Sequence, residues 1–159
     1  MKMNDNHIFS PSLLRKHQTF VRIALEFANL SHCVSHKVCT LFVRDSRIVV
    51  TGINGTPAGY DNCDSLFCAT DYDRAHHHEF SEAHEIHGEM NGILFAAKHG
   101  ISLQDCIIYI TLEPCNNCMK NLIGLGIKTV YFNKSYDLRD DSWDKFRVEN
   151  GVDVYKIEV

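Results

Sequence analysis

The sequence predicts a layered α/β domain, and three observations carry that prediction. Helical and strand periods alternate along the chain in the order α-β-β-α-β-α-β. Residues 106–111 form a short, continuous apolar run, as expected of a strand in a sheet covered on both faces. With 159 residues, 45% of them apolar, the chain is long enough for one domain with its own core. A single domain over residues 1–159 follows.

Taken in order, residues 13–30 read as the first helix, because Phe20, Ile23, Ala24, Phe27 and Leu30 recur at helical spacing. Residues 38–43 and 47–51 read as two strands joined by a tight turn at Asp45-Ser46. Residues 52–59 form a loop whose glycines and proline break any ladder. Residues 61–80 show no clean period and are read as irregular. A second helix is predicted over 86–99, burying Ile86, Met90, Ile93, Leu94 and Ala97, with Gly100 as its cap. A third helix starts near Cys115, turns Met119, Leu122 and Ile123 inward and stops by Gly126. Residues 127–132 read as a strand, 143–148 as a helix, and 152–159 as the segment that closes the sheet.

Composition limits the function. The formal charge is −4 and no polybasic stretch occurs, which favours a small substrate over a polynucleotide. No apolar run approaches the roughly 20 residues that span a bilayer. Residues 1–10 are polar and lack the apolar core of a signal peptide, which predicts a cytoplasmic location. Seven cysteines without an export signal argue against a disulfide framework, and the ten histidines beside them point to metal ligation.

Two stretches carry chemistry, His87-Gly88-Glu89 and Pro114-Cys115-Asn116-Asn117-Cys118. A Cys-x-x-Cys pair alone is often redox-active or structural. In this order, each opening a helix, the two stretches match the H-x-E…P-C-x-x-C pattern of zinc deaminases. His87, Cys115 and Cys118 supply one imidazole and two thiolates, and three protein ligands leave a fourth position for water. Pro114 suits a helix start, and the positive end of that helix favours thiolates. Glu89, two residues beyond the ligand His87, is turned away from ligation yet stays close enough to shuttle protons. The structural alternative is a closed zinc site with Glu89 as a surface carboxylate.

From residue 31 to 136 the chain resembles the deoxycytidylate (dCMP) deaminases, especially those of bacteriophages. The resemblance is carried by Ser35-His36-Lys37-Val38, by the loop from Thr51 to Gly59 with its Gly-x-Asn-Gly, by Glu85-Ile86-His87-Gly88-Glu89-Met90-Asn91, by Ile93-Leu94-Phe95-Ala96-Ala97, by Thr111-Leu112-Glu113-Pro114-Cys115 and by Gly126-Ile127-Lys128. It implies a cytidine-deaminase-like three-layer α/β/α fold around a central mixed sheet. It further implies hydrolysis of dCMP to dUMP and ammonia, supplying thymidylate synthesis, and a homo-oligomer, a hexamer, in the host cytoplasm if phage-encoded. Asn54 is implied to touch the nucleotide and Tyr136 to lie near it. A second, structural zinc is implied at Cys33, Cys63, His77 and Glu85, where His76, His78 or His84 could stand in for His77. The loop from Cys63 to His77 is shorter than in some phage relatives, which leaves control by dCTP and dTTP open. Gly88 stands where alanine is usual. One reading is a roomier base pocket that admits 5-substituted dCMP; the other is close helix packing. The rival functions are a tRNA adenosine deaminase and a non-catalytic zinc assembly module.

Overall fold

The computed structural model describes residues 8–136 and 142–159. Its centre is a five-stranded mixed sheet in the order β2-β1-β3-β4-β5, made of β1 (Cys39–Arg44), β2 (Arg47–Ile53), β3 (Ile107–Leu112), β4 (Thr129–Lys134) and β5 (Asp153–Lys156). β1 runs antiparallel to both β2 and β3, whereas β3, β4 and β5 are parallel. The β1–β2 turn is the expected one: Asp45 and Ser46 both have positive φ, 52° and 60°, as a two-residue hairpin loop with a primed turn requires.

Alternation along the strands divides the core between two faces. Cys39, Leu41 and Val43 of β1, Tyr109 of β3 and Tyr131 of β4 pack under α1 (Pro11–Ala28). Phe42, Ile108, Ile110, Val130 and Phe132 face the other way, toward α4 (Gly88–His99) and α5 (Asn116–Gly124). Helices thus cover both faces, and the three-layer expectation holds. α6 (Ser142–Glu149) packs on α5.

Several elements differ from the sequence reading. α1 begins at Pro11, with Ser10 as its N-cap accepting from Leu13 N at 3.4 Å, so the Ser-Pro start marks its beginning better than the apolar stripe does. It buries His17, Phe20, Val21, Ala24 and Ala28, whereas Phe27 and Leu30 are exposed. The irregular stretch 61–80 contains α2 (Cys63–Leu66) and most of α3 (Arg74–His84). α3 has no apolar stripe to reveal it: among its residues only His77 is buried. Its start is set by Asp73, whose carboxylate accepts from His76 N at 3.0 Å. In α4 the buried face is Gly88, Glu89, Gly92 and Ala96, and Leu94 and Ala97 of the expected stripe are exposed. Small residues at positions i, i+4 and i+8 bring this helix against the sheet, and the larger side chains turn outward. In α5 the expected inward residues Met119 and Leu122 are buried and Ile123 is half-buried.

Candidate metal centre and active site

Two helix starts meet at one end of the sheet. His87 is the N-cap residue of α4 and Cys115 that of α5, both with extended backbone and neither capping its helix with its side chain. Their side chains are therefore free to converge. His87 Nδ1 lies 3.6 Å from Cys115 Sγ and 3.4 Å from Cys118 Sγ. The segment before α4 is pinned by a two-residue bridge, with Gly55 N donating to Ile86 O and Ile86 N donating to Gly55 O. The side-chain amide of Asn91 also donates to Ile53 O at 2.9 Å.

The electrostatics suit a cation. Cys115 is held far below the usual thiol range, at about 4, by the hydrogen bond from Cys118 and, against the opposing effect of burial, by His87. The two cysteines share one proton, so Cys118 is pushed upward by its bond to Cys115. The imidazole is drawn up to about 9 by its hydrogen bond to Cys115. Two cysteine sulfurs with an imidazole are the nitrogen–sulfur donor set that zinc prefers, and binding it would displace the protons that Cys118 and His87 hold here. Glu89 is 4% exposed, and burial pushes its carboxyl up to about 7.

A second cluster lies beside the first. His77 Nε2 is 3.2 Å from Cys63 Sγ and 3.6 Å from Cys33 Sγ, and all three residues are buried. Of the candidate histidines, His76, His78 and His84 are exposed; His77 alone joins the two thiols. Burial pushes Cys33 up to about 12 and raises Cys63, and Glu85 raises both further through its charge. Glu85 Oε2 accepts from Ser81 Oγ at 2.7 Å, while Glu85 Oε1 is buried with no hydrogen-bond partner. The ligand atoms of Cys33, Cys63 and His77 all lie within 4.8 Å of one another and Glu85 stands outside that group, but its partnerless buried oxygen is one that a bound cation would satisfy.

Both clusters border one cavity of about 510 Å³. Asn54, Gly88, Glu89, Glu113 and Tyr136 line it too. Asn54 staples the loop between α1 and β1: its Oδ1 accepts from Ser31 Oγ at 2.7 Å and Val38 N at 2.8 Å, and its Nδ2 donates to His36 O at 2.8 Å. Buried Glu113 accepts from Tyr136 N at 3.3 Å, which fixes the Tyr136 segment at the cavity. Gly88 borders the space through its backbone. A methyl group built on it would instead meet the Gly52 carbonyl oxygen at 3.0 Å and Thr40 Oγ1 at 3.2 Å, between helix and sheet. The close-packing reading of Gly88 accounts for that geometry.

Sequence reasoning missed the cavity rim, to which Ser35, His36, Tyr72, Arg74, His78 and Glu82 contribute. A signal was present in part. Recognising Asp73 as an N-cap would have placed Arg74 and His78 one helical turn apart, on one face of α3.

A nitrogen–sulfur donor set with a buried carboxyl two residues from its histidine, opening into one cavity of an α/β/α domain, defines the class of zinc-dependent deaminases. Comparison with known proteins gives the family. The model described as the cytidine and deoxycytidylate deaminase zinc-binding region matches residues 14–134, and the chain belongs to that family. The deoxycytidylate deaminase of Enterobacteria phage T2 is 31% identical over 173 aligned positions, covering 89% of this chain and 92% of that one. A probable deoxycytidylate deaminase of Caenorhabditis elegans is 37% identical over 125 positions, covering 78% of this chain and 60% of that one. Among solved structures, the dCMP deaminase of cyanophage S-TIM5 in complex with dCMP and dUMP superposes with a TM-score of 0.72. It is 26% identical and covers 93% of this chain and 98% of that one.

Proposed function

We propose that this chain hydrolyses dCMP to dUMP and ammonia, and so supplies dUMP for thymidylate synthesis. The observation that carries the reading is Glu89, fully enclosed beside the His87–Cys115–Cys118 cluster in a chain similar along nearly its whole length to phage dCMP deaminases. A zinc ion held by those three residues supplies Lewis acidity and makes water a competent nucleophile at neutral pH. Glu89 takes a proton from the attacking water and delivers it to the ring nitrogen N3 of the cytosine. It then carries a second proton to the amino group as that group leaves. A carboxyl raised to about 7 by burial holds and releases protons near neutral pH, the condition for an efficient carrier.

In this reading Asn54 and Tyr136, both on the cavity wall, contact the nucleotide, and Gly88 contributes backbone to the same wall. The space left by the missing methyl of Gly88 lies toward the sheet, so a broader pocket for 5-substituted dCMP does not follow from it. A second zinc at Cys33, Cys63, His77 and Glu85 is supported for the first three ligands by their cluster geometry and for Glu85 by its partnerless buried oxygen. A homo-oligomer, the hexamer implied by resemblance, is supported by Leu94 and Phe95, which stand 49% and 47% exposed on α4. Among the described residues no helix is long and apolar enough to cross a membrane.

The test is ammonia release from dCMP by the wild type and by Glu89→Gln. Glutamine keeps the shape and cannot carry protons, so turnover should fall at least 10²–10⁴-fold while metal content stays unchanged. Near wild-type turnover by the variant, or no turnover of dCMP by the wild type, would refute the reading.

A further inference from the structure

We propose that Arg74 binds the 5′-phosphate of the nucleotide and makes the site selective for nucleotides over nucleosides, with His36 and His78 completing the phosphate contact. The proposal rests on the reading of dCMP as substrate.

The argument starts from charge. Four carboxylates line the cavity, those of Glu82, Glu85, Glu89 and Glu113. A phosphate dianion entering that space is repelled unless a cation meets it. Among the described residues, Arg74 is the only lysine or arginine that lines the cavity. It is exposed, and no described carboxylate pairs with it. A guanidinium presents a planar fork of donors that matches phosphate oxygens.

Position supports the same assignment. The cytosine amino group must reach Glu89 and the His87–Cys115–Cys118 cluster, so the phosphate, at the other end of the nucleotide, must point away from them. Two segments of the cavity wall carry basic side chains outside the two metal-ligand groups. α3 supplies Arg74 and His78, which share a face because they are four residues apart. The loop between α1 and β1 supplies His36, whose carbonyl is held by Asn54 Nδ2 at 2.8 Å. Between Arg74 and His78 along α3, His77 is buried against Cys33 and Cys63. That contact anchors the helix and so fixes where Arg74 stands.

The experiment uses the intact, metal-loaded enzyme and compares Arg74→Ala and Arg74→Lys with the wild type. Steady-state kinetics are measured on dCMP and on deoxycytidine, and binding of dUMP and deoxyuridine is measured by calorimetry. In Arg74→Ala the ratio of kcat/KM for dCMP to that for deoxycytidine should fall about 10- to 100-fold, the range expected for losing a hydrogen-bonded charge pair. The loss should appear in KM, the dUMP affinity should weaken by the same factor, and lysine should restore part of it. The thermal midpoint should not move, because Arg74 is exposed and forms no ion pair among the described residues. Equal losses on both substrates, or unaltered dUMP affinity, would overturn the proposal. If the wild type fails to deaminate dCMP, the functional reading falls, and the dUMP measurement still decides the role of Arg74.

Discussion

Replacing Gly92 by alanine probes how this helix meets this sheet. A Cβ built on Gly92 would overlap the ring of Phe42 at Cε2 and come within 3.1 Å of Cδ2. Phe42 has no exposed surface and sits in the core under α4, so its ring has nowhere to retreat. Forcing a methyl group into a well-packed core costs about 1–3 kcal/mol. Alanine in a helix interior returns about 1 kcal/mol over glycine. The net expectation for Gly92→Ala is a loss of about 0–2 kcal/mol, which in a domain of this size lowers the thermal midpoint by up to about 8 °C. Urea titrations of Gly92→Ala, Phe42→Leu and the double variant measure it. The double variant should be more stable than the sum of the single losses predicts, because the smaller side chain vacates the space that the methyl needs. Additive losses, or a Gly92→Ala protein more stable than wild type, would refute the reasoning.

Two further outcomes are expected. Metal analysis of protein never exposed to chelator should find two zinc ions per chain in the wild type and one in Cys63→Ser, with a lower thermal midpoint for the variant, since structural zinc contributes folding energy; one zinc in the wild type would remove the second site. The third expectation concerns His17, whose Nδ1 lies 2.8 Å from Tyr109 Oη and whose ring stacks on Tyr131 with centroids 4.0 Å apart. Burial, aided by the charge of Lys16, lowers it from 6.5 to about 4. The unfolded chain therefore binds a proton below pH 6.5 that the native state refuses, and stability drops as pH falls from 6.5 toward 4. At pH 5 the loss is about 1–2 kcal/mol. His17→Phe should lose that share of the dependence in urea titrations at pH 7.5 and 5; an unchanged slope would show that His17 is not its source.

What could be read from the sequence was what is local. The His87–Cys115–Cys118 cluster was legible because each half is a short pattern at a helix start and the two together match a known zinc-deaminase pattern. The β1–β2 hairpin and the buried strand β3 were legible through a two-residue turn and an unbroken apolar run. α3 was not, because its residues face solvent, the cavity and the thiols of Cys33 and Cys63 rather than an apolar core, so no stripe marks it. The inward face of α4 was misjudged because the sheet selects its smallest side chains, Gly88, Gly92 and Ala96, and leaves Leu94 and Phe95 outside. Hydrophobic periodicity weighs large residues and is blind to a seam of small ones. The choice of His77 over its neighbours depended on the approach of two cysteines from distant parts of the chain, which no local pattern encodes.

That seam of small residues also sets how deeply Glu89 is buried. Thr40 and Gly52 are paired across β1 and β2, and the first turn of α4 lies on them. A Cβ on Gly52 would fall onto the carbonyl oxygen of Gly88, and one on Gly88 would crowd the carbonyl oxygen of Gly52, so strand and helix approach backbone to backbone. Glu89 follows Gly88 by one residue, about 100° further round the helix. A helix set this deep carries Glu89 inside with it, to 4% exposure, and the loss of water is the largest cause of its raised pKa. If a larger residue stood at position 52, α4 would have to ride higher, Glu89 would regain solvent, and its carboxyl would return toward the ordinary range. The burial that raises the Glu89 carboxyl is thus set by glycines that have no side chain to place in the cavity.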